Sequence, residues 1–121
     1  MNTVESVDSF LDDIKQGKWD KVLLEVADLQ VPVKKLEALH EQIVLEMVEL
    51  REVETARALL RQSEALMALR SEDPERYLAL EKVCNRTLID PKLLYQGSSR
   101  QKRRDAIVKL FQTEVRSVPP S

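Results

Sequence analysis

FLDDIKQGKWDKVLL, Phe10 to Leu24, contains the end of one helix, a stop and the start of the next. Phe10, Leu11 and Ile14 make an apolar edge at i, i+1 and i+4, the spacing of a helix face. Gly17 supplies the left-handed residue that commonly ends a helix. Asp20 places a negative charge in the first turn of the following helix, where the dipole favours it. Trp19, the only tryptophan, stands at the corner, where its ring can seal both helix ends. On the residues alone, Gly17 and Trp19 are structural: an ordinary helical corner with a buried indole.

The same alternation of helix and punctuation runs through the chain. A first helix is expected from Ser6, as N-cap, to Gln16, with Val4, Val7, Leu11 and Ile14 on one stripe. A second runs from Trp19 to Leu29, with Trp19, Val22, Leu23, Val26 and Leu29 inward. Pro32 suits the first turn of a third helix, the longest, from Val33 to Arg51. Its seam is Leu36, His40, Ile43, Met47 and Leu50, widened by Leu39, Val44 and Val48. A stripe this wide predicts a central helix touched on more than one side. A fourth helix spans Val53 to Gln62, with Ala56, Leu59 and Leu60 inward. No Gly or Pro separates it from the third, so one longer helix is an alternative.

Leu66, Met67 and Leu69 form a short apolar cluster in a loop-like segment of about one helical turn. Asp73-Pro74 is a strong helix start, opening a helix to Asn85 that buries Tyr77, Leu78, Leu80 and Cys84. Asp90-Pro91 repeats the signal for a short helix through Leu93, Leu94 and Tyr95, stopped by Gly97. Ser99 caps a last helix to Val115, with Ile107, Val108, Phe111 and Val115 inward. Val118 to Ser121 is extended. No strand-length alternation appears, and the expected fold is all-α, a compact multi-helix bundle of antiparallel helices.

Composition agrees. The chain has 121 residues, two glycines and 4% aromatics, the length of a single domain. With one cysteine there is no intrachain disulfide and no thiolate zinc cluster. No apolar run approaches the ~20 residues that span a bilayer, so no membrane partner is expected. The net charge of −2 hides an asymmetry. Residues 1–60 hold 7 Lys and Arg against 13 Asp and Glu, and residues 61–121 hold 12 against 8.

Catalytic chemistry is hard to assemble. His40 is the only histidine, and on the seam of the third helix it reads as a hydrogen-bonded boundary residue. Glu37, Glu41 and His40 lie close together, but a metal site needs more converging ligands. Cys84 reads as a small buried apolar residue. Asp12-Asp13, and Glu49 with Glu52, read as solvated faces. No Gly-rich phosphate loop is present. The expectation is a non-enzyme with no catalytic, cofactor or metal site.

Arg100, Lys102, Arg103 and Arg104 stand out, because they crowd the first turn of the last helix, where the dipole disfavours positive charge. They are candidate partner-binding residues, suited to an acidic protein segment, RNA phosphates or nuclear import. The plain alternative is a solvated cluster balanced by Asp105 and the acidic first half. No aromatic ladder accompanies them, which weighs against RNA as the main role. Leu66, Met67 and Leu69 are candidate apolar anchors, with plugging the core as the alternative.

Taken in order, these pieces resemble one family. The helix, Gly-x-Trp-Asp, helix pattern is how CTLH modules begin, and TVESVDSFLDDIKQGKWDK (Thr3 to Lys21) resembles the CTLH start of the Smu-type spliceosomal LisH/CTLH/WD40 proteins. QIVLEMVELREVETARALLRQ (Gln42 to Gln62) resembles their next paired helices, and DPERYLALE (Asp73 to Glu81) the helix after. GSSRQKRRDAI (Gly97 to Ile107) and EVRSVPPS (Glu114 to Ser121) resemble their segment beyond CTLH. The resemblance implies a CTLH-type module over residues 1–63, further helices packed on it over 64–117, and an extended tail at 118–121. It implies a non-catalytic scaffold in pre-mRNA splicing, located in the nucleus, that binds a RED-like protein and other spliceosomal proteins, with at most weak RNA contact. Family members carry a LisH dimerisation motif before this region and a WD40 propeller after it. Neither is in this sequence, so it reads as a fragment. Two alternatives remain: a CTLH subunit of a ubiquitin-ligase assembly, and an RNA-binding helical module centred on Arg100 to Arg104.

Overall fold

A computed structural model describes residues 4–27, 29, 31–85, 94–95 and 97–114. Seven long helices account for nearly all of them: α1 (Val4–Gln16), α2 (Trp19–Val26), α3 (Val33–Glu49), α4 (Val53–Gln62), α5 (Glu64–Glu72), α6 (Pro74–Cys84) and α7 (Arg100–Glu114). No strand occurs among the described residues. The fold is the expected all-α bundle.

Several boundaries have a local cause. Gly17 has φ +71°. Its N–H donates to Ile14 O at 3.1 Å, and the Lys18 N–H donates to Asp13 O at 3.0 Å. These two bonds form a Schellman stop. The break between α3 and α4 uses the same pair of bonds: Arg51 N–H to Val48 O at 3.0 Å and Glu52 N–H to Met47 O at 2.8 Å. Here the left-handed residue is Arg51, φ +66°. Neither a glycine nor a proline marks the break, which is why a single longer helix was a fair alternative. Ser63 closes α4 and opens α5, its Oγ accepting from the Leu66 N–H at 3.2 Å. Asp73 Oδ1 accepts from the Arg76 N–H at 3.2 Å, and Ser99 Oγ accepts from the Lys102 N–H at 3.1 Å. Both caps are the expected ones.

Other expectations need correction. The first helix begins at Val4, so Ser6 lies inside it and is not its cap. α2 ends at Val26, where a turn follows with Leu29 N–H on Val26 O at 3.1 Å. Leu66, Met67 and Leu69 do not lie in a loop. They belong to α5, nine residues long, because Ser63 caps a full two turns there. Leu78 is exposed. Of the proposed α3 seam, Ile43 is buried, Leu36, His40 and Met47 are half-buried, and Leu50 is exposed beyond the helix end. The most buried apolar residues of α3 are Leu39, Ile43, Val44, Leu45 and Val48. Most of the helix between Asp90 and Tyr95, and the segment from Val115, lie outside the described residues.

α3 runs through the middle and separates two cores. On one side Phe10, Leu11 and Ile14 of α1 and Trp19, Val22 and Val26 of α2 meet Leu39 and Ile43, closed by Ile107, Val108 and Phe111 of α7. The rings of Phe10 and Phe111 stand 5.5 Å apart, tilted by 57°, a favourable aromatic geometry. On the other side Val44, Leu45 and Val48 meet Ala56 and Leu60 of α4, Leu66 and Leu69 of α5, and Tyr77, Leu80 and Cys84 of α6. Leu94 and Tyr95 join this second core. The last helix thus returns to pack on α1 and α3.

Candidate functional site

α3 carries a row of acceptors, Glu41, Gln42, Glu46 and Glu49, within two turns of one another. Three arginines of α7 and one of α6 face this row. The Arg104 Nε donates to Glu46 Oε2 at 2.9 Å and its Nη2 to Glu46 Oε1 at 2.5 Å. The Glu46 side chain is 3% exposed and the Arg104 side chain 13%. The same carboxylate accepts from Trp19 Nε1 at 3.0 Å and from Gln42 Nε2 at 2.8 Å. Four hydrogen bonds therefore satisfy a buried charge that would otherwise be costly. Arg104 also lies over the Trp19 ring, 5.8 Å from its centroid, and reaches the carbonyl of Lys15 in the last turn of α1. Its bond to Glu46 holds the guanidinium pKa above its ordinary value, despite the opposing effect of burial.

Arg103 donates through Nε to Gln42 Oε1 at 2.9 Å, and its Nη2 stands 3.8 Å from Glu41. Arg76 of α6 grips Glu41 with two bonds, 2.9 and 2.6 Å. Arg100 stands 3.7 Å from Glu49, which also accepts from the Tyr95 hydroxyl at 2.6 Å. The crowding of positive charge at the start of α7 therefore has a structural reason: the acid row of α3 compensates it. Sequence reasoning missed Arg76, Glu41 and Glu46 as partners. The i, i+4 spacing of Gln42 and Glu46 was the available signal, but only the return of α7 across α3 shows what it faces.

Of the four candidate basic residues, Arg103 and Arg104 turn inward, Arg100 is exposed beside Glu49, and Lys102 is exposed. Leu66 and Leu69 are in the core, 0% and 1% exposed, while Met67 is half-buried. Gly17 and Trp19 meet Arg104 directly. A Cβ on Gly17 would collide with the Arg104 guanidinium.

Lys102 and Arg103 line a groove of about 490 Å³ between α3, α6 and α7. Its apolar surface comes from Ala38, Ala106, Ile107 and Leu110, and Arg76 and Glu41 lie at its side. Leu110 is 38% exposed, and its carbonyl is taken by Lys35 Nζ.

The residues tested for catalysis have packing roles. His40 Nδ1 pairs with Leu36 O at 2.8 Å, and burial pushes the imidazole pKa down, so the ring is neutral and donates from Nδ1. Burial pushes the Cys84 thiol up, away from the reactive thiolate. Asp13 is 3% exposed and Glu49 half-buried, so neither is the solvated residue expected. Among the described residues no group of three or more His, Cys, Asp or Glu is placed to hold a metal ion. No described helix is long and apolar enough to cross a membrane.

These features define an all-helical unit whose buried charges join its helices. No family model matches the chain. Over 122 residues it is 38% identical to the WD40 repeat-containing protein smu1 of Dictyostelium discoideum, a match that takes in 100% of this chain. The chain spans 23% of that relative's length. Over its whole length the chain is therefore similar to one segment of a Smu-type family member.

Proposed function

We propose that the chain is a non-catalytic interaction segment of a splicing scaffold, acting in the nucleus and binding a RED-like spliceosomal protein. Whole-length similarity to a Smu-type protein supports the scaffold role in a general sense. In this reading residues 1–63 form the CTLH-type part, with the Gly17–Trp19 corner as its start, and residues 64–117 complete the unit.

The observation that carries the binding mode is the α3/α6/α7 groove, which combines an apolar floor with a basic rim. Lys102 is exposed on the rim, and Arg76 and Arg103, though both engaged there, share the single carboxylate of Glu41. The rim thus keeps a net positive charge, and the groove suits a helix with an apolar stripe flanked by acidic residues. Buried apolar contacts would set most of the affinity, and Lys102 would tune the association rate.

RNA binding is the less favoured reading. Arg103 and Arg104 are engaged with α3, which leaves few free cations to neutralise phosphates. Calorimetry with a purified RED-like protein tests the proposal. Saturable heat with a shallow salt dependence is expected. A steep loss of affinity with salt would favour RNA-like phosphate contacts, and no heat at ~100 μM, well above the dissociation constants of specific complexes, would reject it.

A further inference from the structure

Arg76, Arg103 and Arg104 all reach the acid row of α3, but a carboxylate grips only two of them. Glu46 holds Arg104 through Nε and Nη2, at 2.9 and 2.5 Å. Glu41 holds Arg76 through the same two atoms, at 2.9 and 2.6 Å. Arg103 is bound differently. Its Nε donates to an uncharged acceptor, Gln42 Oε1, at 2.9 Å. Its Nη2 stands 3.8 Å from Glu41 Oε1, beyond hydrogen-bond range, and Arg76 already binds that oxygen. No described residue accepts from Nη1 or Nη2 of Arg103.

Gln42 sets this arrangement. It is fully buried, and its Nε2 donates to Glu46 Oε2 at 2.8 Å. The amide is thereby oriented with Oε1 toward Arg103. It holds one edge of the guanidinium and, being uncharged, does not neutralise it. The other edge, Nη1 with Nη2, keeps the planar fork that matches a carboxylate. Arg103 lines the α3/α6/α7 groove, and its side chain is 30% exposed. Lys102 lines it too, and its ammonium has no partner among the described residues. Glu41 is the one acid lining the groove among the described residues, and Arg76 occupies it.

We infer, resting on the docking role proposed for this groove, that Arg103 sets its specificity: the open edge takes one Asp or Glu side chain of the docked protein helix in a two-bond fork. Ala106 and Leu110 follow Arg103 along α7 and line the same groove. At 1.5 Å per residue they lie ~4.5 and ~10.5 Å beyond it. A helix lying along α7 therefore carries its carboxylate about one turn from one apolar anchor and two turns from the next. The apolar floor beside the fork favours a protein carboxylate over a nucleic-acid phosphate, because the same ligand must also bury side chains there.

Surface-binding kinetics of the full chain with a purified RED-like protein test this, with thermal melts of each variant. Arg103→Lys keeps the charge and loses the fork. It should leave association nearly unchanged and speed dissociation ~10-fold, as expected for a charge-assisted hydrogen bond. Each Asp or Glu of the bound segment is then changed singly to its amide. One of them, with apolar residues three and seven positions away, should weaken binding to the wild-type chain ~10-fold and hardly affect binding to Arg103→Lys. The amide series on the wild-type chain decides even if Arg103→Lys destabilises the fold: a flat series overturns the fork. Wild-type dissociation from Arg103→Lys, with Leu110→Asp still weakening binding, would overturn the fork and leave the docking groove standing. Loss of binding after phosphatase treatment of the partner would assign the edge to a phosphate and overturn the carboxylate. No binding by the wild-type chain would overturn the docking role and the fork with it.

Discussion

Arg104 of α7 and Glu46 of α3 are joined by two parallel hydrogen bonds, 2.9 and 2.5 Å long, with the Arg104 guanidinium 5.8 Å over the centre of the Trp19 ring. This pair connects the start of the last helix to the centre of the molecule and, through Trp19, to the first helical corner. Removing one partner leaves an uncompensated buried charge, which typically costs ~3–5 kcal/mol. Arg104→Ala and Glu46→Ala should each lower stability by that order. Replacing both with apolar residues of similar volume, Arg104→Met with Glu46→Leu, should recover only part of the loss, because Trp19 Nε1 and Gln42 Nε2 also lose their acceptor. Chemical denaturation of the singles and the double is the check. A double variant as unstable as the sum of the singles would mean that the pair is not the coupling element.

The helices were legible because their signals are local. The caps Ser99 and Asp73, the stop at Gly17 and the apolar spacing of Ile107, Val108 and Phe111 all lie within a few residues of their effects. Long-range pairing was not legible. The acidic first half could be named as a balance for Arg104, but not Glu46 itself, because that partner is 58 residues away and no local rule shows that α7 crosses α3. Leu66 and Leu69 looked like loop anchors because a cap two residues ahead of an apolar run is a weak signal beside a Pro or Gly. Asp13 looked solvated beside Asp12 for a similar reason: its burial depends on α2 folding back over it.

Gly17 is irreplaceable on two counts. At φ +71° a residue with a Cβ costs roughly 1–2 kcal/mol, and that Cβ would also strike Arg104. Gly17→Ala should therefore cost more than the backbone term alone. In an Arg104→Ala background the cost should shrink toward that term. Equal costs in the two backgrounds, measured by urea denaturation, would remove the collision from the explanation.

Arg51 has the opposite status. It adopts φ +66° in a Schellman stop that normally takes glycine, and it is exposed. Relief of the left-handed strain, roughly 1–2 kcal/mol, exceeds the entropic cost of a glycine, roughly 0.5–1 kcal/mol. Arg51→Gly should stabilise the chain by about 0.5–1 kcal/mol. A lower thermal midpoint in the variant would show that Arg51 contributes something beyond the turn.

Trp19 is 8% exposed and donates to Glu46 at 3.0 Å. Trp19→Ala should cost ~3–5 kcal/mol, the usual range for a large buried aromatic. Trp19→Phe keeps most of the apolar contact and loses the donor, so it should cost less. A loss below ~1 kcal/mol for Trp19→Ala, within the range of surface substitutions, would reassign the ring to partner contact.

The burial pattern also decides which variants can test partner binding. Reversing Arg103 and Arg104 would break the α3–α7 clamp, and an acidic residue at Leu66 would enter a core position that is 0% exposed. Both would lose binding by unfolding, whatever their role in recognition. Leu110, 38% exposed, and Lys102, exposed on the groove rim, avoid that problem. Leu110→Asp puts a charge on the apolar floor and should weaken binding of a RED-like protein at least ~10-fold, about 1.4 kcal/mol, with a near-native thermal midpoint. Lys102→Glu should mainly slow association and reduce its salt sensitivity, because rim charges act on encounter. Surface-binding kinetics at two salt concentrations, with thermal melts of each variant, would separate the two effects. Wild-type affinity for Leu110→Asp, with its fold intact, would place the docking surface away from the α3/α6/α7 groove.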